Sequence, residues 1–239
     1  MAPFLLALRQ RDVIAERTMA FHFSKPAGFR FQAGQAVDVT LITPAETDPE
    51  GDTRTFTLAS APQDDDLVIA TRLRDTAFKR VLTSLPLGTS VQAEGPAGAF
   101  ALHEEAGIPA VFLTGGIGIT PFRSMIRDAL ARQLRHQLWL FYSNTRPEDA
   151  AFLDELQHLA DTTASLHFVP TMTDMSKSQQ PWHGERTLID AEMVSRRLTM
   201  SGPTYYVAGP PSMVTAMRAM LAGARVADAD IRTEEFAGY

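Results

Sequence analysis

Three short segments of this sequence carry residue types whose spacing suits phosphate and ring chemistry. Thr114-Gly-Gly-Ile-Gly-Ile-Thr-Pro121 follows an apolar run and opens a helical pattern. Glycines at such a junction let backbone approach a pyrophosphate, and the helix start offers unpaired N–H groups and a positive dipole end. Pro121 suits a first helical turn, where a missing N–H is no loss. By itself the cluster reads equally well as a tight strand-to-helix turn. Tyr206-Val-Ala-Gly-Pro-Pro-Ser-Met213 is a second junction of the same kind. In a doubly wound sheet two such strand ends open on one cleft, although alone this one is a proline-stiffened turn. Arg54-Thr-Phe-Thr57 begins a strand-like run. Arginine suits a phosphate, an aromatic packs on a flat ring, and a hydroxyl bonds a ring nitrogen. In isolation the four residues are an amphipathic strand, with Arg54 and Phe56 on one side and Thr55 and Thr57 on the other.

The elements that must position these segments fall into two halves. Short apolar or β-branched runs at residues 4–8, 20–23, 36–42, 55–58 and 67–73 alternate with turn-forming clusters, which predicts a β-barrel or sandwich. One helix is expected over 76–85, stopped by Pro86 and Gly88. After about Phe100 the pattern changes. Strands are expected at 110–114, 137–142, 165–170 and 204–208, and helices at 121–134, 148–160, 190–198 and 212–222. Alternation at that spacing predicts a parallel, doubly wound α/β sheet. The division is expected in or just after Gly95-Pro-Ala-Gly-Ala-Phe100, giving domains 1–100 and 101–239.

Composition removes several classes of chemistry. With no cysteine among 239 residues there is no disulfide, thiolate nucleophile or cysteine-held iron–sulfur cluster in the chain. The histidines make no metal pattern, and neither Gly-x-Ser-x-Gly nor a lysine-bearing Walker loop occurs. A net charge of −6 without a dense basic run argues against a nucleic-acid binder. No apolar run approaches a membrane span, and the N-terminal Met1 to Arg9 reads as a first strand rather than a signal peptide. A cytoplasmic setting is expected.

Taken together, the segments resemble the ferredoxin–NADP reductase superfamily along nearly the whole chain. That family pairs a flavin-binding antiparallel barrel with a nicotinamide-binding α/β domain. Arg54-Thr-Phe-Thr57 is similar to its Arg-x-aromatic-Ser/Thr flavin motif. Phe31-Gln-Ala-Gly-Gln35 resembles its Phe-x-x-Gly-Gln segment, and Gly95 to Phe100 its Gly-Pro-x-Gly-x-Phe junction. Thr114 to Pro121 resembles its nicotinamide pyrophosphate loop, and Ala208-Gly-Pro-Pro211 its Cys-Gly-Pro motif.

The resemblance implies that the chain takes hydride from NADH or NADPH onto FAD and passes electrons to a separate acceptor. It implies that Arg54 pairs with the flavin pyrophosphate, that Phe56 lines the ring and that Thr57 donates towards N5, with Thr55 beside them. Thr71 and Arg72 would follow the ribityl chain and phosphate, and Thr76, Phe78 and Lys79 would hold phosphate at the short helix. Gly115, Gly116, Ile117, Gly118 and Pro121, with Gly209 and Pro210, would hold the nicotinamide nucleotide. Glu234-Glu235-Phe236 has the spacing of the family's Glu-x-aromatic ending. Phe236, or its rival Tyr239, would cover the flavin, with Glu234 nearby. There are two departures. Ala208 stands where the family usually has Cys, and Thr76-Ala-Phe-Lys79 replaces a Gly-x-x-Ser phosphate motif, which leaves FMN or an exchangeable flavin open. Ser143 and Arg146 could hold a 2′-phosphate, but Pro181-Trp-His-Gly184 resembles NADH-using relatives, and NADH is the favoured donor. The acceptor is left among a ferredoxin, a flavodoxin, a haem protein and a small molecule. A reductase of diffusible flavin and a partner-dependent electron-transfer subunit stay as alternatives. The architecture commonly works as a monomer.

Overall fold

The computed structural model describes residues 3–198, 200 and 202–236. Its first half is built on β1 (Phe4–Ala15), β2 (Thr18–Ser24), β3 (Ala36–Thr40), β4 (Thr53–Thr57), β5 (Asp66–Arg72) and β6 (Ser90–Ala97), with one helix, α1 (Ala77–Ser84). All pairings are antiparallel, in the order β4-β3-β6-β1-β2-β5. The sheet curls until its edges meet: just past β4, Ala59 N–H donates to Val68 O of β5 at 2.7 Å. Alternating apolar residues such as Leu6, Leu8, Phe21, Phe23, Val37 and Val39 fill the interior, and Phe78, Val81 and Leu82 of α1 plug it.

The second half carries β7 (Ala110–Gly115), α2 (Ile119–Ala131), β8 (Leu138–Asn144), α3 (Leu153–Thr162), β9 (Leu166–Met172), α4 (Ala191–Arg197), β10 (Thr204–Gly209), α5 (Pro211–Gly223) and β11 (Ile231–Glu235). The five strands are parallel in the order β11-β10-β7-β8-β9, so the connection reverses direction between β7 and β10. A doubly wound sheet binds ligands beyond the strand ends at that reversal. β7 and β10 are buried along their whole length, as strands covered on both faces must be.

Two strands escape the sequence pattern. β6 sits between β3 and β1, yet Ser90-Val-Gln-Ala-Glu-Gly-Pro-Ala97 alternates weakly and ends in turn residues. β11, expected as a tail, is an edge strand in register with β10, Ala208 lying opposite Glu234. Its residues Ile-Arg-Thr-Glu-Glu have little apolar content, because an edge strand needs backbone partners more than burial. The helix expected over 148–160 is broken. Pro147 starts a 3₁₀ turn, Phe152 takes φ 60°, and α3 begins only at Leu153. Phe152 is held there under Arg123, whose guanidinium lies 4.4 Å above its ring.

The halves are bolted together by α2. Arg123 Nη1 donates to Ala59 O and Ser124 Oγ to Ser60 O, both at 2.6 Å, while Arg127 pairs with Asp64 at 2.9 Å. These contacts fix α2, and the glycine turn that opens it, against the chain that follows β4.

Candidate flavin and nicotinamide site

The end of β4, the end of β5, the start of α1, the turn before α2 and the residue after β11 surround one cavity of about 380 Å³. Arg54, Thr55, Phe56 and Thr57 line it from β4, Thr71 and Arg72 from β5, and Thr76 and Lys79 from α1. Ile117 and Thr120 close it from the α/β domain, and Phe236 from the end of the chain. Thr57 is buried, and Phe56 packs into the barrel core with its ring centroid 5.9 Å from that of Phe78. Thr76 caps α1, accepting from Lys79 N–H at 3.4 Å. Burial and the neighbouring charges of Arg74 and Arg54 push the Lys79 ammonium down to about 8. Cations converging so closely call for an anion between them.

Beside this cavity the two strand-to-helix junctions meet. A Cβ on Gly118 would lie 2.6 Å from Ala208 O and 2.8 Å from Gly209 Cα, so only glycine permits the approach. Gly116 has φ +55°, which opens the turn, and Thr114 Oγ1 ties the junctions together by donating to Ala208 O at 2.8 Å. The sulfur of Met213 sits over the paired glycines, 2.7 Å from the place a Cβ on Gly115 would take. β11 delivers Phe236 to this point, its N–H donating to Gly209 O at 3.0 Å. Glu234 precedes it by two residues. One carboxylate oxygen of Glu234 is buried with no hydrogen-bond partner among the described residues, and burial pushes its pKa up to about 7.

Comparisons with known proteins agree with this geometry. The model for the oxidoreductase NAD-binding domain matches residues 112–219. Ferredoxin–NADP reductase B of Sorangium cellulosum is 29% identical over 217 residues, which is 87% of this chain and 85% of that protein. The flavohemoprotein of Bacillus subtilis is 26% identical across 98% of this chain. The phenol 2-monooxygenase reductase component DmpP of Pseudomonas sp. is 28% identical across 86%. The chain spans only 59% and 58% of these last two proteins. A ferredoxin NADP⁺ reductase from Neisseria gonorrhoeae superposes with a TM-score of 0.80 at 20% identity, covering 98% of each chain, a likeness of fold. The chain resembles ferredoxin–NADP reductases along most of its length. It is a ferredoxin–NADP reductase-like flavoprotein oxidoreductase.

Of the residues that the sequence proposes for this reductase, most line the cavity or flank the paired junctions, and four do not. Phe78 is 2% exposed and turned into the barrel core, because α1 is amphipathic and its apolar face must plug the barrel. Pro121 is buried within α2 and shapes the helix start without reaching the cleft. Arg146 does not stand free beside Ser143. It bonds the Glu16 carboxylate from the β1–β2 turn, Asp149 at 3.2 Å and Lys177 O at 2.9 Å, and so braces the two domains. Tyr239 lies outside the described residues. Ser143 is half-buried at the end of β8, its carbonyl 3.4 Å from the Cβ place of Gly115, and Pro210 caps α5.

Three residues that the sequence did not single out for the cofactor line the cavity or support the glycine turn. Arg74 and Thr120 line the cavity. Tyr142, fully buried, donates from its hydroxyl to Gly116 O at 3.0 Å, with Ala151 O at 3.2 Å, and so holds the glycine turn from below. A tyrosine inside an apolar strand gives no sign in the sequence that its hydroxyl supports a turn on the neighbouring strand.

The residues fit FAD. Arg54, Arg74 and Lys79 offer cations for a diphosphate, Thr55 and Thr57 offer hydroxyls, and Phe56 offers an apolar floor. Among the described residues no group of three His, Cys, Asp or Glu is placed to hold a metal, and no helix is long and apolar enough to cross a membrane.

Proposed function

We propose that this chain draws hydride from NADH onto its FAD and releases the electrons to a separate redox protein. Residues 1–100 hold the flavin and 101–239 the nicotinamide nucleotide. The observation that carries this reading is the shared cavity, where Thr57 of the flavin strand, Ile117 and Thr120 of the nicotinamide turn, and Phe236 meet. FAD would supply the hydride acceptor. Arg54 and Lys79 hold its phosphates, and Thr57 fixes the reactive edge by a hydrogen bond. Phe236 covers the flavin until the nicotinamide takes its place. The paired glycine junctions hold the pyrophosphate of the donor. The assignment predicts that NADH bleaches the flavin absorption of the purified protein without oxygen; flavin that neither nucleotide bleaches would move the chain to a partner-dependent subunit.

The choice of NADH rests on the end of β8. The charge of Arg146 is already committed to Glu16 and Asp149, with Glu148 close by. A 2′-phosphate placed there would meet the carboxylates of Glu16, Asp149 and Glu148 around an arginine that already pairs with two of them. NADH should therefore exceed NADPH in kcat/KM by roughly a hundredfold, the size of two well-placed like-charge contacts. Equal efficiencies in parallel steady-state assays would reverse the donor assignment.

Glu234 predicts a pH profile. Hydride loss leaves the nicotinamide ring positive, and an ionised carboxylate nearby stabilises that charge. With its pKa raised to about 7, Glu234 is protonated below that pH and ionised above it. The rate of flavin reduction by NADH should rise through pH 7, and Glu234→Gln should stay at the low-pH rate throughout. Folding stability runs the other way. Between the unfolded carboxylate value and pH 7 the folded chain holds a proton that the unfolded chain has lost, so stability falls as pH rises through that window. The glutamine variant should lack that fall in a series of thermal melts.

A further inference from the structure

Asp48 carries the argument beyond the assigned roles. It lies in the long loop between β3 and β4, with its side chain 23% exposed. Its Oδ2 accepts from Ala77 N–H, the first residue of α1, at 2.9 Å. Its Oδ1 accepts from Glu50 N–H at 3.0 Å and faces Arg54 Nη2 at 3.5 Å. Glu50 adds its own carboxylate to the same guanidinium at 2.9 Å, and Arg54 Nη1 donates to the carbonyls of Glu50, Gly51 and Thr53. The guanidinium and the helix start that suit a flavin phosphate thus already carry carboxylates from the protein itself.

Two anions on one pair of donors repel each other, and the repulsion is larger where both are partly withdrawn from water. Asp48 is anchored at three points, so it does not swing clear as an exposed side chain would. Glu50, 69% exposed, adds less because solvent screens it. Lys79 is the compensating charge, and the drop in its pKa comes from burial and from Arg74 and Arg54, against the smaller opposing pull of Glu50. We infer that Asp48 acts as a built-in competitor for the flavin phosphate seat, setting the protein to hold FAD loosely enough to exchange it. The inference rests on the flavin reading of the cavity and adds which residue sets its affinity.

The test is a titration of flavin-freed full-length protein with FAD, FMN and riboflavin, followed by flavin fluorescence, for the wild type, Asp48→Asn and Glu50→Gln. Asparagine keeps an acceptor for Ala77 N–H but gives up, with the charge, the acceptor for Glu50 N–H. Asp48→Asn should tighten FAD and FMN about tenfold, the scale of one close charge contact at a partly exposed site. Glu50→Gln should tighten them about two- to threefold, as exposed pairs do. Riboflavin, which has no phosphate, should stay within twofold, and Asp48→Asn should keep a cooperative melt, lowered by a few degrees at most for the lost Glu50 N–H bond. FAD affinity that is unchanged or weaker in Asp48→Asn overturns the inference, as does an equal gain for riboflavin. If none of the three flavins binds any of the proteins, the flavin reading itself falls and takes this inference with it. FAD bound equally by wild type and variant removes only the role of Asp48.

Discussion

Gly118→Ala is expected to leave flavin bound and raise the dissociation constant for NADH about a hundredfold. The added Cβ would meet Ala208 O at 2.6 Å, Gly209 Cα at 2.8 Å and the Ala208 carbonyl carbon at 2.9 Å. All three are backbone atoms of a fully buried strand, so no flexible side chain can yield. One junction must move away from the other. The hydrogen bond from Thr114 Oγ1 to Ala208 O stretches, and the Gly209 carbonyl that receives Phe236 N–H shifts with it. Overpacking of this kind costs about 1–3 kcal/mol, and a chain of this size loses about 2–4 °C of Tm for each kcal/mol. The barrel motif lies on the other sheet, so flavin retention through gel filtration should survive. Anaerobic titration of flavin reduction against NADH gives the answer. A dissociation constant within threefold of the wild type would mean that the nucleotide does not use the gap between the junctions.

Arg54→Ala is expected to raise the FAD dissociation constant by about a hundredfold or more, with riboflavin little affected. The arginine lines the cavity, and its guanidinium lies 5.2 Å over the Phe78 ring, a support that fixes its plane. A charge-assisted hydrogen bond to a phosphate contributes about 1.5–3 kcal/mol. Removing the guanidinium also leaves Asp48 and Glu50 facing the phosphates without their partner, so the like-charge cost grows. Fluorescence titration with FAD and riboflavin separates the phosphate contribution from loss of the cavity. Equal loss for both flavins would mean that the variant has damaged β4, and an unchanged FAD constant would remove Arg54 from the phosphate seat.

How much of this was legible in the sequence depends on the range of the interaction involved. Arg54-Thr-Phe-Thr57, the Gly115–Gly118 turn and Pro210–Pro211 were readable because each is a local pattern with a local reason: a strand end, a tight turn, a helix start. The two-domain order was readable too, since the change from short alternating strands to strand–helix alternation is a change of period. The residues misplaced from the sequence share a different cause. The orientation of Phe78 is set by which face of α1 plugs the barrel, and the partners of Arg146 come from Glu16 about 130 residues away. Neither fact is contained in the segment that holds the residue.

The amino-acid order alone determined the kind of chemistry, because phosphate turns, a hydroxyl beside an aromatic, and the absence of cysteine are properties of short segments and of composition. Only the tertiary structure decided which charges are free. Arg74 and Lys79 converge on the cavity while Arg146 is spent on a brace, and Arg54 shares its seat with Asp48. It also decided that residues 231–235 form a parallel edge strand, placing Glu234 beside Ala208 and Phe236 against Gly209. Electrostatic pairing and burial depend on distances in space, and those are set by contacts between segments far apart in the chain that no local window contains.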